Sequence, residues 1–161
     1  MSFHPPSVTA IEGTGLRFGV VAARFNEKLV DGLLDRALLT FSAAGVRGRD
    51  VQIVRVPGSH EVPWAAQQLA GLGRFDCILA LGVLIGGDTN HHEMVGDSVS
   101  HALQQVALGT GTPVINGVIV TPTAALARAR CLGRIDRGTE FARAALEMAA
   151  LRRTLRGHKK S

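Results

Sequence analysis

The residues best suited to chemistry lie in one short segment, residues 86–93, which read GGDTNHHE. Gly87, Asp88 and Thr89 could offer backbone amides and a hydroxyl to a phosphate at the start of a helix, where the helix dipole favours an anion. His91 adds an imidazole, which can accept and donate a proton near neutral pH. The segment therefore predicts a loop that binds an anion and transfers a proton.

The elements around this segment follow from hydrophobic periodicity. Short apolar runs predict strands at residues 16–22, 51–56, 78–85 and 113–120. Apolar positions spaced three and four apart predict helices that begin near Glu27, Val62 and Val95, and Thr123 is a candidate cap for a further helix. Because strands and helices alternate, the chain predicts an α/β fold in three layers, with a four-stranded parallel, flavodoxin-like sheet between helices.

The chain is predicted to close with a long helix that has a basic end. Its expected apolar stripe consists of Phe141, Ala144, Ala145, Met148, Leu151 and Leu155. Much of the positive charge lies in Arg152, Arg153, Arg156, Lys159 and Lys160. A solvated helix end explains these cations without a partner. We expect an arm at 1–13, which is flexible or packs in extended form on a neighbour, one domain at 14–157 and a basic tail at 158–161.

Composition restricts the class of protein. The chain has 161 residues, 46% hydrophobic and 19% charged, as in a globular domain with a sizeable core. No apolar run approaches the roughly 20 residues that cross a bilayer, and a signal-peptide pattern is missing, so we expect a cytoplasmic protein with no membrane partner. The net charge is +5, but an aromatic content of 4% argues against a nucleic-acid partner. Cys77 and Cys131 lack metal-ligand spacing and are expected to be free.

In a parallel sheet, the loops that lead from strands to helices leave the same edge, where ligands bind. Four such loops lie at residues 24–26, 57–61, 86–93 and 121–123. Phe25 offers a flat ring, and Glu61 offers a carboxylate that accepts hydroxyl donors. Together with the loop amides, these groups suit a planar heterocycle with a polyol arm.

Simpler explanations of these residues stay open. An aromatic residue after a first strand is commonly buried, so Phe25 could belong to the core. His91 and His92 are adjacent and project differently, which argues against both serving one site. A metal held with Glu93 or His60 has no supporting ligand spacing.

Four motifs occur in a fixed order along the chain. They are RFN at 24–26, VPGSHEVP at 56–63, LGVLIGGDTNHHE at 81–93 and PVINGV at 113–118. With these motifs the chain resembles 6,7-dimethyl-8-ribityllumazine synthase, from about Leu16 to about Leu151. The resemblance implies a step of riboflavin synthesis in which 5-amino-6-(D-ribitylamino)uracil condenses with 3,4-dihydroxy-2-butanone 4-phosphate, releasing phosphate and water. It implies no metal and no organic cofactor.

The resemblance also implies roles for individual residues. The residues implied to hold the pyrimidine and the ribityl chain are Phe25, Asn26, Ser59, His60, Glu61, Val83, Leu84 and Ile85. Those implied to bind the phosphate are Gly87, Asp88 and Thr89, with Arg130 or Arg128. An ungapped count favours Arg130, which we prefer, whereas the local helix pattern favours Arg128. His91 is the implied proton-transfer residue, with Glu93 orienting it, because amine attack, dehydration and elimination all require proton transfer.

Five positions depart from the family pattern. Gly86 stands where a basic residue is usual, His92 where the family usually has Phe or Tyr, and Met94 where an aromatic is common. His60 replaces an aromatic or apolar residue. Asn116 stands where many members present Phe to the adjacent subunit's site, which suggests a polar contact to the uracil edge.

The resemblance implies a homopentamer with active sites between subunits, which some members assemble further into a hollow shell of twelve pentamers. Two other functions stay open beside the enzyme. One is a flavin- or lumazine-binding paralogue without efficient turnover, which the departures from the pattern suggest. The other is an RNA or anion binder that uses the basic tail.

Overall fold

The structure is a computed structural model that describes residues 4–157. The elements are β1 (Phe18–Ala23), α1 (Glu27–Ala43), β2 (Val51–Val56), α2 (Val62–Gly71), β3 (Cys77–Ile85), α3 (His91–Thr110), β4 (Val114–Thr121), α4 (Ala124–Cys131) and α5 (Arg137–Gly157). All strand pairs are parallel, and the strand order is β2-β1-β3-β4. The predicted α/β fold with a four-stranded parallel sheet is confirmed.

The sheet separates two hydrophobic clusters. Phe18 and Val20 of β1 face a cluster built with α1, α4 and α5, and the Phe18 ring stacks on Phe41 with centroids 4.3 Å apart. Val21 and Ala23 face the other cluster, built with α2 and α3. The two central strands, β1 and β3, are buried on both faces, which is why their sequences are continuous apolar runs without alternation.

The face that α5 buries overlaps the predicted stripe only in part: Ala145 is buried and Phe141 packs against the core. The buried residues of α5 are Gly138, Ala142, Ala145, Leu146, Ala149 and Arg152. Of the predicted stripe, Met148, Leu151 and Leu155 are exposed. At its start, α5 approaches α1 closely: a Cβ at position 138 would lie 2.6 Å from the Leu33 carbonyl oxygen. Glycine at this position permits the approach.

The prediction that the basic end of α5 is solvated is wrong for Arg152, which is buried, whereas Arg153 is exposed but has an ion-pair partner. The Asp76 carboxylate, which is 9% exposed, accepts bonds from Arg153 Nε and Nη2 at 2.9 and 2.8 Å, and from Arg17 N at 2.7 Å. Arg152 is 8% exposed and lies 3.9 Å from the same carboxylate. Burial lowers the pKa of Arg152, whereas the hydrogen bond to Asp76 raises the pKa of Arg153. Through Asp76, Arg152 and Arg153 connect α5 to the segment that leads into β3.

The N-terminal segment within the described range, residues 4–13, contains no helix or strand and is mostly exposed. Its end is tied to the domain by Gly13 N, which donates to the Ala44 carbonyl oxygen at 2.7 Å. The remainder of the predicted arm and the predicted tail at 158–161 lie outside the described residues. Within residues 4–157, no helix has the length and hydropathy that crossing a bilayer requires.

Candidate active site

Two loops at the carboxyl edge of the sheet are joined through their backbones. Arg24 N donates to the Val56 carbonyl oxygen at 2.9 Å, and Phe25 N donates to the Pro57 carbonyl oxygen at 3.0 Å. These bonds extend the pairing of β1 with β2 beyond the ends of both strands. The parallel topology therefore brings the first two predicted loops into direct contact.

Asn26 fixes the first loop in a second way. Its backbone is left-handed, with φ of 58°, a conformation that Asn adopts more readily than most residues. The turn aims the side chain across the sheet edge, where Nδ2 donates to the Val83 carbonyl oxygen at 2.8 Å. Asn26 thus connects the start of α1 to β3, which lies beside β1.

The alternative that places Phe25 in the core is wrong. Its side chain is 72% exposed and lies against Gly58, where a Cβ would be 3.0 Å from Phe25 Cδ2. Glycine at position 58 therefore lets the ring lie flat over the second loop. The ring presents its apolar surface to the space above the sheet edge, as stacking on a planar ligand requires.

The second loop forms a short 3₁₀ turn, Ser59–Glu61, which leads into α2. Glu61 Oε2 accepts a bond from Gly58 N at 2.9 Å, and Glu61 Oε1 lies 3.9 Å from His60 Nδ1. The carboxylate is half exposed, so it stabilises its own loop and retains lone pairs for a ligand. Ser59 is buried against Gly82 of β3, where any side chain would collide with Ser59 Oγ.

The third loop is held against the end of β4. Gly86 N donates to the Thr121 carbonyl oxygen at 2.8 Å, and a Cβ at position 86 would lie 2.6 Å from the Pro122 carbonyl oxygen. This close backbone approach explains the glycine found there in place of the family's basic residue. Nothing lies within 4 Å of a Cβ built at Gly87, so that part of the loop is open.

Helix α3 begins at His91, four residues before the predicted start at Val95. His91 and His92 therefore lie in the first helical turn and not in the loop, and His91 N donates to Thr89 Oγ1 at 3.4 Å. Both imidazoles line the same cavity, contrary to the expectation that adjacent histidines would not share a site. The Glu93 carboxylate lies 4.0 Å from His92 Nε2, so its described partner is His92 and not His91.

One cavity of about 480 Å³ gathers these groups at the sheet edge. It is lined by Phe25, Asn26, Gly58, Ser59, His60, Glu61, Val83, Leu84, Ile85, Gly87, Thr89, His91, His92 and Val95. Every predicted pyrimidine and ribityl residue except Asn116 is among them. The sequence analysis assigned no individual role in the cavity to His92 or Val95, whereas Gly58 belongs to a loop that was predicted to face it. The signal for His92 and Val95 was their spacing of three on one helical face.

Other predicted residues lie outside this cavity in the single chain. They are Asp88, Glu93, Asn116, Arg128 and Arg130. Asn116 is exposed on the edge strand β4, and its Oδ1 accepts a bond from Val118 N at 3.1 Å. On α4, Arg128 is exposed, whereas Arg130 is partly buried and donates from Nη1 to the Leu126 carbonyl oxygen at 3.1 Å.

The cavity combines a few polar groups with an apolar wall from β3, as small-molecule sites do. Across residues 4–157, no cluster of three or more His, Cys, Asp or Glu side chains is arranged to hold a metal ion. An aromatic plate, a carboxylate and imidazoles can bind a polar heterocycle and transfer protons.

Comparison with known proteins identifies the family. A family model described as 6,7-dimethyl-8-ribityllumazine synthase matches residues 15–153, which include all of the elements that form the cavity. The chain belongs to this family. Its established activity is accordingly that of a lumazine synthase enzyme in riboflavin biosynthesis.

Individual relatives agree with the family model. The chain is 44% identical over 143 residues to the 6,7-dimethyl-8-ribityllumazine synthase of Thermococcus gammatolerans, covering 89% of this chain and 92% of that protein. It is 42% identical over 145 residues to the proteins of the same name from Burkholderia mallei and Burkholderia pseudomallei, covering 90% of this chain and 82% of theirs.

Proposed function

We propose that the cavity at the carboxyl edge of the sheet binds 5-amino-6-(D-ribitylamino)uracil together with 3,4-dihydroxy-2-butanone 4-phosphate and condenses them. The observation that supports the proposal is that the exposed ring of Phe25, the half-exposed carboxylate of Glu61 and His91 all line one cavity. A bisubstrate condensation gains much of its rate when a protein holds both reactants in one geometry.

The pyrimidine stacks on Phe25 and its ribityl chain reaches Glu61. Phe25 is fixed over Gly58 by the backbone hydrogen bonds between the first two loops, so its stacking surface is pre-organised before the ligand binds. Glu61 keeps one oxygen engaged with Gly58 N and offers its remaining lone pairs to ribityl hydroxyls. Backbone groups at the end of β3, including Leu84 and Ile85, contact the heterocycle edge.

His91 transfers the protons of the reaction. The amine of the uracil attacks the ketone carbonyl, water leaves as the Schiff base forms, and phosphate departs in the following elimination. Each step moves a proton to or from a reacting nitrogen or oxygen, and a neutral imidazole can serve in both directions. The start of α3 positions His91 beside Gly87 and Thr89, so the proton carrier stands next to the groups we assign to the phosphate.

The site is completed by a neighbouring subunit of a homopentamer. Two observations support this. Large apolar side chains near the cavity are exposed in the single chain: Trp64 is 69% and Met94 is 61% exposed, each in the first turn of a helix that starts at this edge. Asn116 lies outside the cavity of its own chain, so it serves the adjacent site. We assign the phosphate's guanidinium partner to Arg130, with Arg128 as the alternative.

We place the enzyme in the cytoplasm, which the two unpaired cysteines support, since a reducing compartment keeps thiols free.

The decisive experiment measures lumazine formation by absorbance, comparing the natural chain with a His91→Ala variant and with a mixture lacking protein. We expect the variant to lose at least about 10-fold in kcat, because general acid–base catalysis is typically worth more than that. Size-exclusion chromatography should show the same assembly for both proteins. Equal kcat values for both proteins would show that another group transfers the protons.

A further inference from the structure

One ring nitrogen of His92 has no partner. The side chain is 13% exposed, and Nδ1 is buried without a hydrogen-bond partner among residues 4–157. The other nitrogen, Nε2, lies 4.0 Å from Glu93 Oε1. A buried polar atom without a partner destabilises the folded state and calls for an explanation in a native protein.

The cavity offers that explanation. His92 lines it directly behind His91 in the chain, and Val95 continues the same wall one turn later. Ser59 Oγ, also buried and unpartnered within the described range, belongs to a residue of the same lining, on a turn that packs against α3. Two unpartnered polar atoms in the walls of one cavity point to a ligand that brings the missing partners.

The environment of the ring selects the role of each nitrogen. The Glu93 carboxylate lies 4.0 Å from Nε2, beyond hydrogen-bond length, but its negative charge favours the tautomer that carries the ring proton on Nε2, on the side that faces it. In that tautomer, Nδ1 is a hydrogen-bond acceptor. The matching ligand group is a hydroxyl or an N–H donor.

We propose that His92 is a positioning residue for the phosphorylated four-carbon substrate, whose hydroxyl groups supply the donor to Nδ1. The residue lies three positions after Thr89 and one after His91, which line the same cavity and which the proposed function, on which this inference rests, assigns to this substrate. Nδ1 has no exposed surface in the empty cavity, so a bond to the substrate requires the ring to turn when the substrate binds. No hydrogen bond of Nδ1 within residues 4–157 is broken by that turn.

Three substitutions separate the functions of the ring. His92→Phe keeps a planar ring and removes both nitrogens, His92→Asn keeps a polar atom near the position of Nδ1, and His92→Gln places one near Nε2. His101→Phe is the matched control, because His101 is an exposed histidine on the same helix and does not line the cavity. Each protein is assayed for KM of both substrates, for kcat and for Tm.

We expect His92→Phe to raise the KM of the four-carbon phosphate between about 5-fold and 100-fold, the range for one hydrogen bond to a buried group. The KM of the ribitylaminouracil should stay within about 2-fold, because its interactions are untouched. The Tm should not fall, since the substitution removes a polar atom that had no partner. His92→Asn should recover most of the lost affinity, His92→Gln should not, and His101→Phe should change neither KM.

Three results would overturn the proposal. One is an unchanged KM for the four-carbon phosphate in His92→Phe. Another is a rise confined to the KM of the uracil, which would place His92 against the other substrate. The third is a parallel loss of Tm and affinity in His92→Phe without recovery in His92→Asn, which would make the residue structural only.

Discussion

Asn26 performs two tasks that substitution can separate. Its left-handed backbone begins α1, and its side chain donates to the Val83 carbonyl oxygen at 2.8 Å. Alanine at this position would lose the hydrogen bond, worth about 1 kcal/mol, and would also strain the backbone by about 1 kcal/mol relative to Asn. We therefore expect Asn26→Ala to lower the free energy of unfolding by about 2 kcal/mol.

Asn26→Gly is the matched variant, because glycine adopts positive φ without steric cost. It should lose the hydrogen bond alone and so retain about 1 kcal/mol more stability than Asn26→Ala. Urea unfolding of both variants at one fixed protein concentration measures the difference, since the stability of an oligomer depends on concentration. In both variants the first loop is released from β3, so the KM of the ribitylaminouracil should rise. If Asn26→Gly were as unstable as Asn26→Ala, the left-handed backbone would not be the constraint that we infer.

The other expectations concern a buried ion pair, the thiols and the phosphate. Asp76→Asn should lower the free energy of unfolding, measured in urea, by about 3 kcal/mol, because it leaves the buried Arg152 without its counter-charge. A loss under about 1 kcal/mol would contradict this expectation. Burial raises the pKa of Cys131 to about 11 and also raises the pKa of Cys77. At pH 8 both thiols of the native protein should react with iodoacetamide at least about 100-fold more slowly than free cysteine, and rapid labelling before unfolding would disprove their burial. Arg130→Ala should raise the KM of the four-carbon phosphate and lower the affinity of the enzyme for inorganic phosphate. Arg128→Ala should change neither quantity. The reverse pattern would assign the phosphate to Arg128.

Sequence patterns predicted most of the residues that line the cavity. Strands β1 and β3 are continuous apolar runs, and each is followed by a polar loop, so their succession with helices implied a parallel sheet. Parallel topology places strand-to-helix loops at one edge whatever their distance in sequence. That rule alone brought Phe25, Glu61 and His91 together, and all three line the cavity.

Local patterns could not show which partner a residue meets across the fold. On α5 the apolar stripe predicted Met148, Leu151 and Leu155 to face inward, but the helix buries Gly138, Ala142 and Ala149 instead, and Gly138 lies against the backbone of Leu33 in α1. The arginines beyond that stripe looked solvated, since their counter-charge Asp76 is more than seventy residues away in the chain. Long-range pairs of this kind leave no periodic signal.

What the sequence by itself determined is the order of strands and helices, the edge of the sheet at which the cavity lies and the family motifs, because these depend on short-range periodicity and residue type. The tertiary structure decided that Phe25 is exposed over Gly58, that α3 starts at His91 and that His92 lines the cavity, with its Nδ1 unpartnered among residues 4–157. Each of these depends on how separate segments approach one another, and the energy of that approach is set by contacts that only the folded chain makes.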